Sequence, residues 1–493
     1  MGGPHVLAYS DSPAGPAGGQ ERAGVQERIR QRRARLAGLP GALSRREGLF
    51  GRAEHSLREG SPGTLRNLWP ERASHPQSQA AHRNARRAGA TLLRLPQPSP
   101  GGLSHPMSVA TQPAQTELPP AAGRNAYIDA LRGWSIFGVV CVHFAGSFVT
   151  TDSHVWSPSF YLGLTLNQVF GFAVPLFIFL SGLLAGSSSK TVTLGDYYRG
   201  RLWRIGFPYL LASIASFFLL SHYAAWQALP DYGARFSWLA QRLFFYGVEP
   251  TLYFIPLILQ LYFLQPALKA LPRWLNRVIP VLSPERFTLI LTGLLLVLHV
   301  TLGLMCSRGT LNYYVWGRPN SLFWIFYFFS GLHFRSLAGL VSRRGLVAGC
   351  WLTLTVAAGA MAWNGLHLLD RAVVGTNFEL NRLDHAYVRP EMLVYDLAMV
   401  VGLAAGIALG WVPRAGIISY LGRYTLEIYI WHILVLYYAV WRYPAALASC
   451  RQLPELIVII CVAAAVIIAG ATDGLSRLKD FLRHHRLALV KVS

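Results

Sequence analysis

The sequence is poor in acidic residues and almost devoid of lysine, and both shortages limit the classes of protein to which it can belong. Its 493 residues include 23 Asp and Glu against 45 Lys and Arg, which gives a formal net charge of +22, and only four of the basic residues are Lys. Charged residues make up 14% of the chain and hydrophobic residues 53%. This composition excludes an ordinary soluble core and is typical of a polytopic membrane protein. Basicity in such a protein indicates membrane topology and anionic lipid first and phosphorylated ligands second, so we predict no nucleic-acid partner.

Cysteine is also scarce, and the five that occur form no pattern typical of a disulfide framework or a metal centre. No CxxC pair occurs, and four of the five lie in or at the ends of apolar runs. We therefore predict neither disulfides nor a metal site. The cysteines are Cys141, Cys306, Cys350, Cys450 and Cys461.

Residues 1–122 lack the long apolar runs of the rest of the chain. Residues 1–106 hold sixteen Arg, no Lys and seven acidic residues. Such a segment cannot bury enough apolar surface to fold alone, so we predict a disordered, Arg-rich tail. It shows no apolar h-region of the kind found in signal peptides. Two alternatives stay open, namely a short basic amphipathic helix over residues 20–36 and translation that starts at Met107.

Apolar runs of membrane-spanning length follow one another from residue 123 to residue 475. Each is near the roughly 20 residues that a helix needs to cross a bilayer. We predict an all-α fold, a polytopic transmembrane helix bundle of about ten spans, followed by a basic C-terminal tail at residues 476–493. The predicted spans are residues 128–148, 164–186, 205–221, 252–271, 287–306, 322–339, 345–363, 393–411, 417–440 and 455–475.

The first span carries three polar side chains in an otherwise apolar run. Asp129 and Arg132 lie near its start, and His143 follows Arg132 by eleven positions. Eleven residues make about three helical turns, so Arg132 and His143 leave the same face roughly 16 Å apart along the axis. Because burial in lipid is costly for an ionisable group, an intramembrane His is a candidate functional residue. The alternative is a His that bonds the backbone of a neighbouring helix.

Further polar groups lie at the end of the second span and in the connection that follows it. Ser181 and Gly182 at its end are typical of close helix packing, which we favour over a binding role. Arg199, Arg201 and Arg204 then lie within six residues of one another at one membrane surface. Guanidinium groups suit a phosphate-rich ligand. Anchoring of the membrane topology accounts for the same three residues.

The ninth span holds another group of candidates. Glu427, Tyr429 and His432 all lie within it, and Tyr429 and His432 share a helical face. Arg423 precedes Glu427 by four residues, so a local ion pair would account for Glu427 without any chemistry.

Four of these segments resemble, in order, the motifs of the membrane acyltransferase-3 family, and the resemblance covers about residues 123–475. Asp129-x-x-Arg132-Gly133, nine residues and His143 are similar to the family's opening helix. One large branch has Glu in the fourth span, where the nearest polar group is here Gln260, so no carboxylate role carries over. The other matching segments are VPLFIFLSG at 174–182, which resembles Phe-Phe-x-x-Ser-Gly; RGRLWRIGFP at 199–208, which resembles Arg-Arg-x-x-Arg-Ile-x-Pro; and LGRYTLEIYIWH at 421–432, which resembles Leu-Gly-x-x-Ser-x-x-Ile-Tyr-Leu-x-His, with Thr425 in the Ser position.

The resemblance implies an O-acyltransferase that moves an acetyl or similar acyl group from acyl-CoA to a hydroxyl of a carbohydrate or related acceptor, as in polysaccharide O-acetylation. Acyl-CoA would be a co-substrate, and no bound cofactor is expected. His143 would be the general base, because imidazole titrates near neutral pH. Arg132 would bind or orient the donor, and Asp129 would orient Arg132. The expected substrate-binding residues are Arg199, Arg201, Arg204, Tyr429, His432, Glu427 and Ser181.

Two other functions stay open at this point. A transporter of a glycan or a small organic acid would also use intramembrane His and Glu, which suit proton relays. A non-catalytic membrane partner would use the same polar groups only to lock the bundle. Transport of a labelled solute without consumption of acyl-CoA would favour the transporter.

The distribution of basic residues predicts the orientation of the bundle. Seventeen Lys and Arg fall in connections on one side and in the C-terminal tail, against nine on the other side. Because cytoplasmic loops carry the excess of Lys and Arg, we predict an inner (plasma) membrane protein with both termini in the cytoplasm.

This orientation is testable with reporter fusions. A reporter placed at Ser153, in the first connection, should lie on the opposite side of the membrane from one placed at Ser493. Alkaline phosphatase and green fluorescent protein fusions would measure the two sides. Both positions on one side would contradict the ten-span map.

Overall fold

The computed structural model describes residues 126–150, 157–187, 192–220, 222–373, 387–411 and 416–492, and in these ranges every regular element is helical. The all-α prediction is confirmed. The predicted tail at 1–122 lies outside the described residues. Residues 374–386, which form most of a long connection between two helices, lie outside them as well. The last helix continues through most of the predicted C-terminal tail and ends at Val492.

Several helices begin with a residue whose side chain caps the first turn, and some of these have a proline in that turn. The side chains of Ser157, Thr193 and Ser283 each accept a backbone N–H from the first turn of the helix that follows. The helices are α1 Ala126–Thr150, α2 Pro158–Val169, α3 Ala173–Gly186, α4 Leu194–Arg201, α5 Phe207–Leu219, α6 His222–Gln227, α7 Tyr232–Gln241, α8 Phe254–Val278, α9 Pro284–Ser307, α10 Ser321–Leu332, α11 Phe334–Gly339, α12 Arg343–Val373, α13 Pro390–Leu409, α14 Gly416–Leu421, α15 Thr425–Leu436, α16 Pro444–Gln452 and α17 Glu455–Val492.

Short 3-10 and π turns join some of these helices end to end. The 3-10 turns are Phe170–Phe172 and Pro250–Tyr253. The π turns are Leu202–Gly206, Arg242–Tyr246, Tyr313–Gly317 and Tyr437–Trp441.

Eight helical stretches in the described part of the chain are long and apolar enough to cross a membrane. Thr425–Trp441 and Pro444–Gln452 are bent by 87° relative to each other and form either a broken ninth span or a re-entrant loop. The remaining predicted span, 322–339, breaks at His333 into α10 and α11, each too short to cross alone. The prediction of about ten spans therefore agrees with the structure apart from this break and the bend. The chain is a multi-pass membrane protein.

Glycines set the closest helix crossings in the bundle. A Cβ on Gly133 would lie 1.8 Å from the carbonyl oxygen of Ile418, and one on Gly422 would lie 1.8 Å from that of Asp129. The backbones of α1 and α14 therefore touch. Gly182 makes the same kind of contact between α3 and α10, with 2.1 Å from its would-be Cβ to the Phe328 oxygen. This is the packing role favoured for the Ser181–Gly182 segment.

Gly422 and Gly416 offer a matched test of the crossing of α1 with α14. Gly422→Ala should lower the thermal midpoint by several degrees, because overpacking a close contact costs about 1–3 kcal/mol. Apart from its chain neighbours and its own helix backbone, no atom of a described residue lies within 4 Å of a Cβ built on Gly416, so Gly416→Ala should melt like the wild type. Intrinsic tryptophan fluorescence in detergent micelles would measure both, and equal midpoints would contradict the crossing.

Candidate functional site

A charged contact lies beside the crossing of α1 with α14. An Nη2 hydrogen of Arg132 is donated to Oγ1 of Thr425 at 2.5 Å, and Nη1 of Arg132 lies 3.8 Å from a carboxylate oxygen of Asp129. Asp129 is buried. The structure thus places two predicted residues, Asp129 and Arg132, in one polar cluster with the start of α15.

The imidazoles of His143 and His432 meet further along the same two helices. Their ring centroids are 5.3 Å apart, and the ring planes are tilted by 32°. Arg132 contacts Thr425 at the beginning of α15, and His143 contacts His432 later in α15, so α1 and α15 run in the same direction. His143 is partly buried and His432 is fully buried. The structure does not bring Arg132 to this pair, since about 16 Å of helix separates it from His143.

The hydrogen bonds of His432 determine which of its nitrogens carries the proton. Nδ1 lies 2.8 Å from the carbonyl oxygen of Tyr429 and 3.2 Å from that of Ile428. A carbonyl oxygen only accepts, so Nδ1 must be the donor, and Nε2 of the neutral ring keeps its lone pair. This Nε2 is buried and has no hydrogen-bond partner among the described residues. The ring therefore presents an unused acceptor next to His143.

More polar atoms lie around Tyr429, whose ring is next to that of His432. The hydroxyl of Tyr429 donates to the carbonyl oxygen of Thr251, and the Tyr429 ring centroid lies 5.9 Å from that of His432. Oγ1 of Thr251 is buried without a hydrogen-bond partner in the described part of the chain. Unpaired buried polar atoms are rare in folded proteins and need an explanation.

Arg318 is a site residue that the sequence did not reveal. Its Nη2 donates to the carbonyl oxygen of Pro250 at 2.8 Å, and its Cζ lies 4.3 Å from the centroid of the Tyr253 ring. The guanidinium also acts electrostatically on His143 and Tyr429. In the sequence it is one of nine basic residues in outside connections, and no motif distinguishes it from a topology charge.

A hydrogen-bonded network ends one residue before His143. Nδ2 of Asn167 donates to the carbonyl oxygen of Val142 at 3.1 Å, and Nε2 of Gln168 donates to Oδ1 of Asn167 at 2.7 Å. Arg389 and Asn364 both donate to Oε1 of Gln168, at 2.6 Å and 3.1 Å. Asn364 and Arg389 flank the long connection between α12 and α13, so the network ties that region to α1.

The three arginines after the second span do not converge on one point. The Cζ of Arg201 lies 4.2 Å from the centroid of the Tyr262 ring and 5.4 Å from that of Tyr197. Tyr197 itself donates to Oε1 of Gln265, so this part of α4 is docked on α8. Arg199 and Arg204 are exposed. Arg201 packs on aromatic rings, and only Arg199 and Arg204 project into the surroundings.

Ser181 and Glu427 are not drawn into the histidine site by any hydrogen bond between described residues. Ser181 is partly buried beside the close contact of Gly182. Glu427 is partly buried, and no cationic nitrogen of a described residue lies within 4 Å of its carboxylate. The ion pair considered with Arg423 does not form. The (i, i+4) rule holds within a helix, whereas Arg423 precedes α15, which begins at Thr425.

The sequence matches a family model described as an acyltransferase domain over residues 125–472. The chain belongs to the acyltransferase-3 family. The matched region begins with α1 and ends within α17, so it includes both imidazoles, Arg132 and Arg318. No significant match was found among curated proteins or among solved structures. The protein is therefore a multi-pass membrane acyltransferase.

Proposed function

We propose that this acyltransferase moves an acyl group from acyl-CoA to a hydroxyl of a carbohydrate or related acceptor, and that transfer occurs at the His143–His432 pair. The observation that carries the proposal is the 5.3 Å approach of these two rings, which come from the first and ninth predicted spans. Two imidazoles beside unpaired polar atoms supply what hydroxyl transfer needs, namely a proton acceptor and hydrogen-bond partners.

His143 is the general base in this proposal. It is the less buried of the two rings, and its ring nitrogens form no hydrogen bond with a described residue. His143 takes the proton of the acceptor hydroxyl while the oxygen attacks the carbonyl carbon of the thioester. The carbon–sulfur bond then breaks, the acyl group stays on the acceptor oxygen, and the proton passes from His143 to the departing CoA thiolate.

His432 positions the acceptor in this proposal. Its Nε2 lone pair accepts a hydrogen bond, and the unpaired hydroxyl of Thr251 belongs to the residue whose carbonyl binds Tyr429. A polyhydroxylated acceptor donates and accepts several hydrogen bonds, so it would satisfy groups that are otherwise costly to bury. This match favours a carbohydrate-like acceptor over an apolar alcohol.

Arg318 stabilises negative charge at this site in the proposal. It acts electrostatically on His143, whereas Arg132 lies about 16 Å along α1. A fixed positive charge near the reacting carbonyl lowers the energy of the oxyanion that forms during attack. Arg132, with Asp129 beside it, is then left with the donor-binding role proposed from the sequence.

The donor enters, in this proposal, from the side where α1, α4 and α15 begin. Arg199 and Arg204 are exposed there and suit the phosphates of CoA, with Arg201 holding α4 against α8. The basic-residue bias favours the cytoplasm of the inner (plasma) membrane for this side.

Mass spectrometry of cell-envelope glycans tests the proposed reaction directly. Glycans from cells that carry the wild-type protein should contain ester-linked acyl groups that are missing from cells without it. Acyl groups that appear equally in both would contradict the proposal. Import of a labelled sugar or organic acid with no acyl-CoA consumed would instead support a transporter.

Removing the imidazole of His143 should abolish transfer. Loss of a general base typically costs on the order of 10²–10⁴ in rate, so His143→Ala and His143→Gln should both fail, since a Gln amide accepts no proton at neutral pH. His299→Gln removes a buried imidazole of α9 whose Nδ1 lies 2.7 Å from the carbonyl oxygen of Phe323 and serves as the control. Release of CoA thiol by protein in nanodiscs measures the rate.

The outcome for His432 separates positioning from base catalysis. His432→Asn keeps a donor in the place of Nδ1 but has no lone pair in the place of Nε2. It should raise the KM for the acceptor more than it lowers kcat. Substantial transfer by His143→Gln, with none by His432→Asn, would move the base from His143 to His432.

Replacing Arg318 should slow the chemical step. Arg318→Gln should lower kcat by about 10²–10³, the usual cost of losing one group that stabilises an oxyanion, and Arg318→Lys should recover part of the rate. Arg308→Gln removes an exposed charge at the end of α9 and should not change kcat. Because Arg318 also binds the Pro250 carbonyl, the thermal midpoint must be measured as well. A wild-type kcat in Arg318→Gln would contradict the role.

A further inference from the structure

A cationic cavity of about 280 Å³ opens where α3 and α10 end and α9 begins. Its wall includes Lys269 and Arg273 of α8, His333 between α10 and α11, Arg335 of α11 and Glu285 of α9. Three permanently charged cations thus face one acidic residue. The proposed transfer site uses none of them.

Two cations of the cavity, Lys269 and Arg273, are four residues apart on α8, so their side chains are neighbours. Both act electrostatically on His333. Neither Arg273 nor Arg335 forms an ion pair with a residue that the structure describes. Like charges held together in a concave site repel and create a positive potential that attracts anions. Guanidinium groups in particular match the geometry of phosphate oxygens.

The wall of the cavity is fixed by backbone contacts. A Cβ on Gly186 would lie 2.1 Å from the carbonyl oxygen of Leu332, and one on Gly331 would lie 2.0 Å from that of Phe179, so the backbones of α3 and α10 are in direct contact here. Nε2 of His333 lies 3.1 Å from the carbonyl oxygen of Leu268 and donates to it, which ties the break after α10 to α8. The cavity is therefore preformed, as binding sites for small ligands usually are.

The cavity lies far from the histidine pair and close to α4. Asn167 contacts Val142, one residue before His143, and therefore lies at the level of the histidine pair. Gly186, in the cavity wall, is nineteen residues further along the chain, which corresponds to roughly 28 Å of helix. Tyr262, which stacks with Arg201, precedes Lys269 by seven residues on the same face of α8, about 10 Å away. The cavity and the α4 arginines therefore lie toward one end of the bundle, and the imidazoles lie toward the other.

We propose that this cavity binds a phosphate-bearing group. Two sources share this chemistry, namely the phosphates of the CoA donor and the headgroup of an anionic lipid. The cavity holds the anionic end of its ligand and not a reacting carbonyl, because it is remote from the two imidazoles. The CoA source rests on the proposed function, whereas the lipid source does not.

The test compares two double variants that lose the same charge. Arg273→Gln with Arg335→Gln removes two cations of the cavity wall. Arg277→Gln with Arg286→Gln removes two exposed cations, at the end of α8 and the beginning of α9, that do not line the cavity. The full-length protein is placed in phosphatidylcholine nanodiscs, where the bilayer carries no net charge. Equal thermal midpoints without added ligand would show that both variants are folded.

The first arm measures CoA binding by calorimetry. The cavity variant should bind CoA at least about tenfold more weakly than the control variant, as expected for two lost charge-assisted contacts, while pantetheine, which lacks the phosphates, should show no difference. The second arm measures the rise in thermal midpoint when phosphatidylglycerol replaces part of the phosphatidylcholine. The cavity variant should lose that rise and the control variant should keep it.

Each outcome decides between the sources or rejects the site. Weakened CoA binding identifies the donor as the ligand, and a lost phosphatidylglycerol effect identifies the lipid. Cavity and control variants that behave alike in both arms would overturn the proposal. If acyl-CoA is not the donor, the wild type itself will fail to bind CoA. If only the cavity assignment is wrong, the wild type and the cavity variant will bind CoA equally.

Discussion

The close crossing of α1 with α14 is the contact on which the candidate site depends. Inside a bilayer no hydrophobic driving force brings two helices together, so small residues that let backbones touch decide which helices pair. Gly133 faces the carbonyl of Ile418, and Gly422 faces that of Asp129. Each glycine thus makes room for the other helix, and no larger side chain fits at either position without a shift of the backbone.

The crossing determines the positions of the side chains further along α1 and α15. Arg132 is adjacent to Gly133, and Thr425 follows Gly422 by three residues across the turn that joins α14 to α15, which places the guanidinium against the Thr425 hydroxyl. Since α15 then runs in the same direction as α1, His143 reaches His432. A change of helix spacing at the glycines would therefore separate the imidazoles without altering either histidine.

Much of the fold and part of the site could be predicted from the sequence. Long apolar runs fix the all-α membrane class, and the two imidazoles stand out because ionisable groups in such runs are rare. Their contact could not be predicted, since hydropathy gives the spans but not which spans are neighbours. For the same reason an apolar window conceals the break at His333 and the bend after Trp441. Arg318 lies in a connection, where one Arg looks like any other topology charge.

The charged side chains of α1 and its imidazole lie at different levels of the helix, and this separation limits the length of the donor that could use both. Arg132 and Asp129 lie where α1 begins, and His143 lies about 16 Å further along the helix. A donor held by cations near Arg132 must therefore carry its reactive carbon well away from its negative charge. Acetyl phosphate does not meet this requirement, because its carbonyl is bonded directly to the phosphate oxygen. Acyl-CoA does, because a pantetheine arm separates the thioester from the phosphates. The spacing of charge and imidazole along a single helix therefore favours a long donor over a compact one.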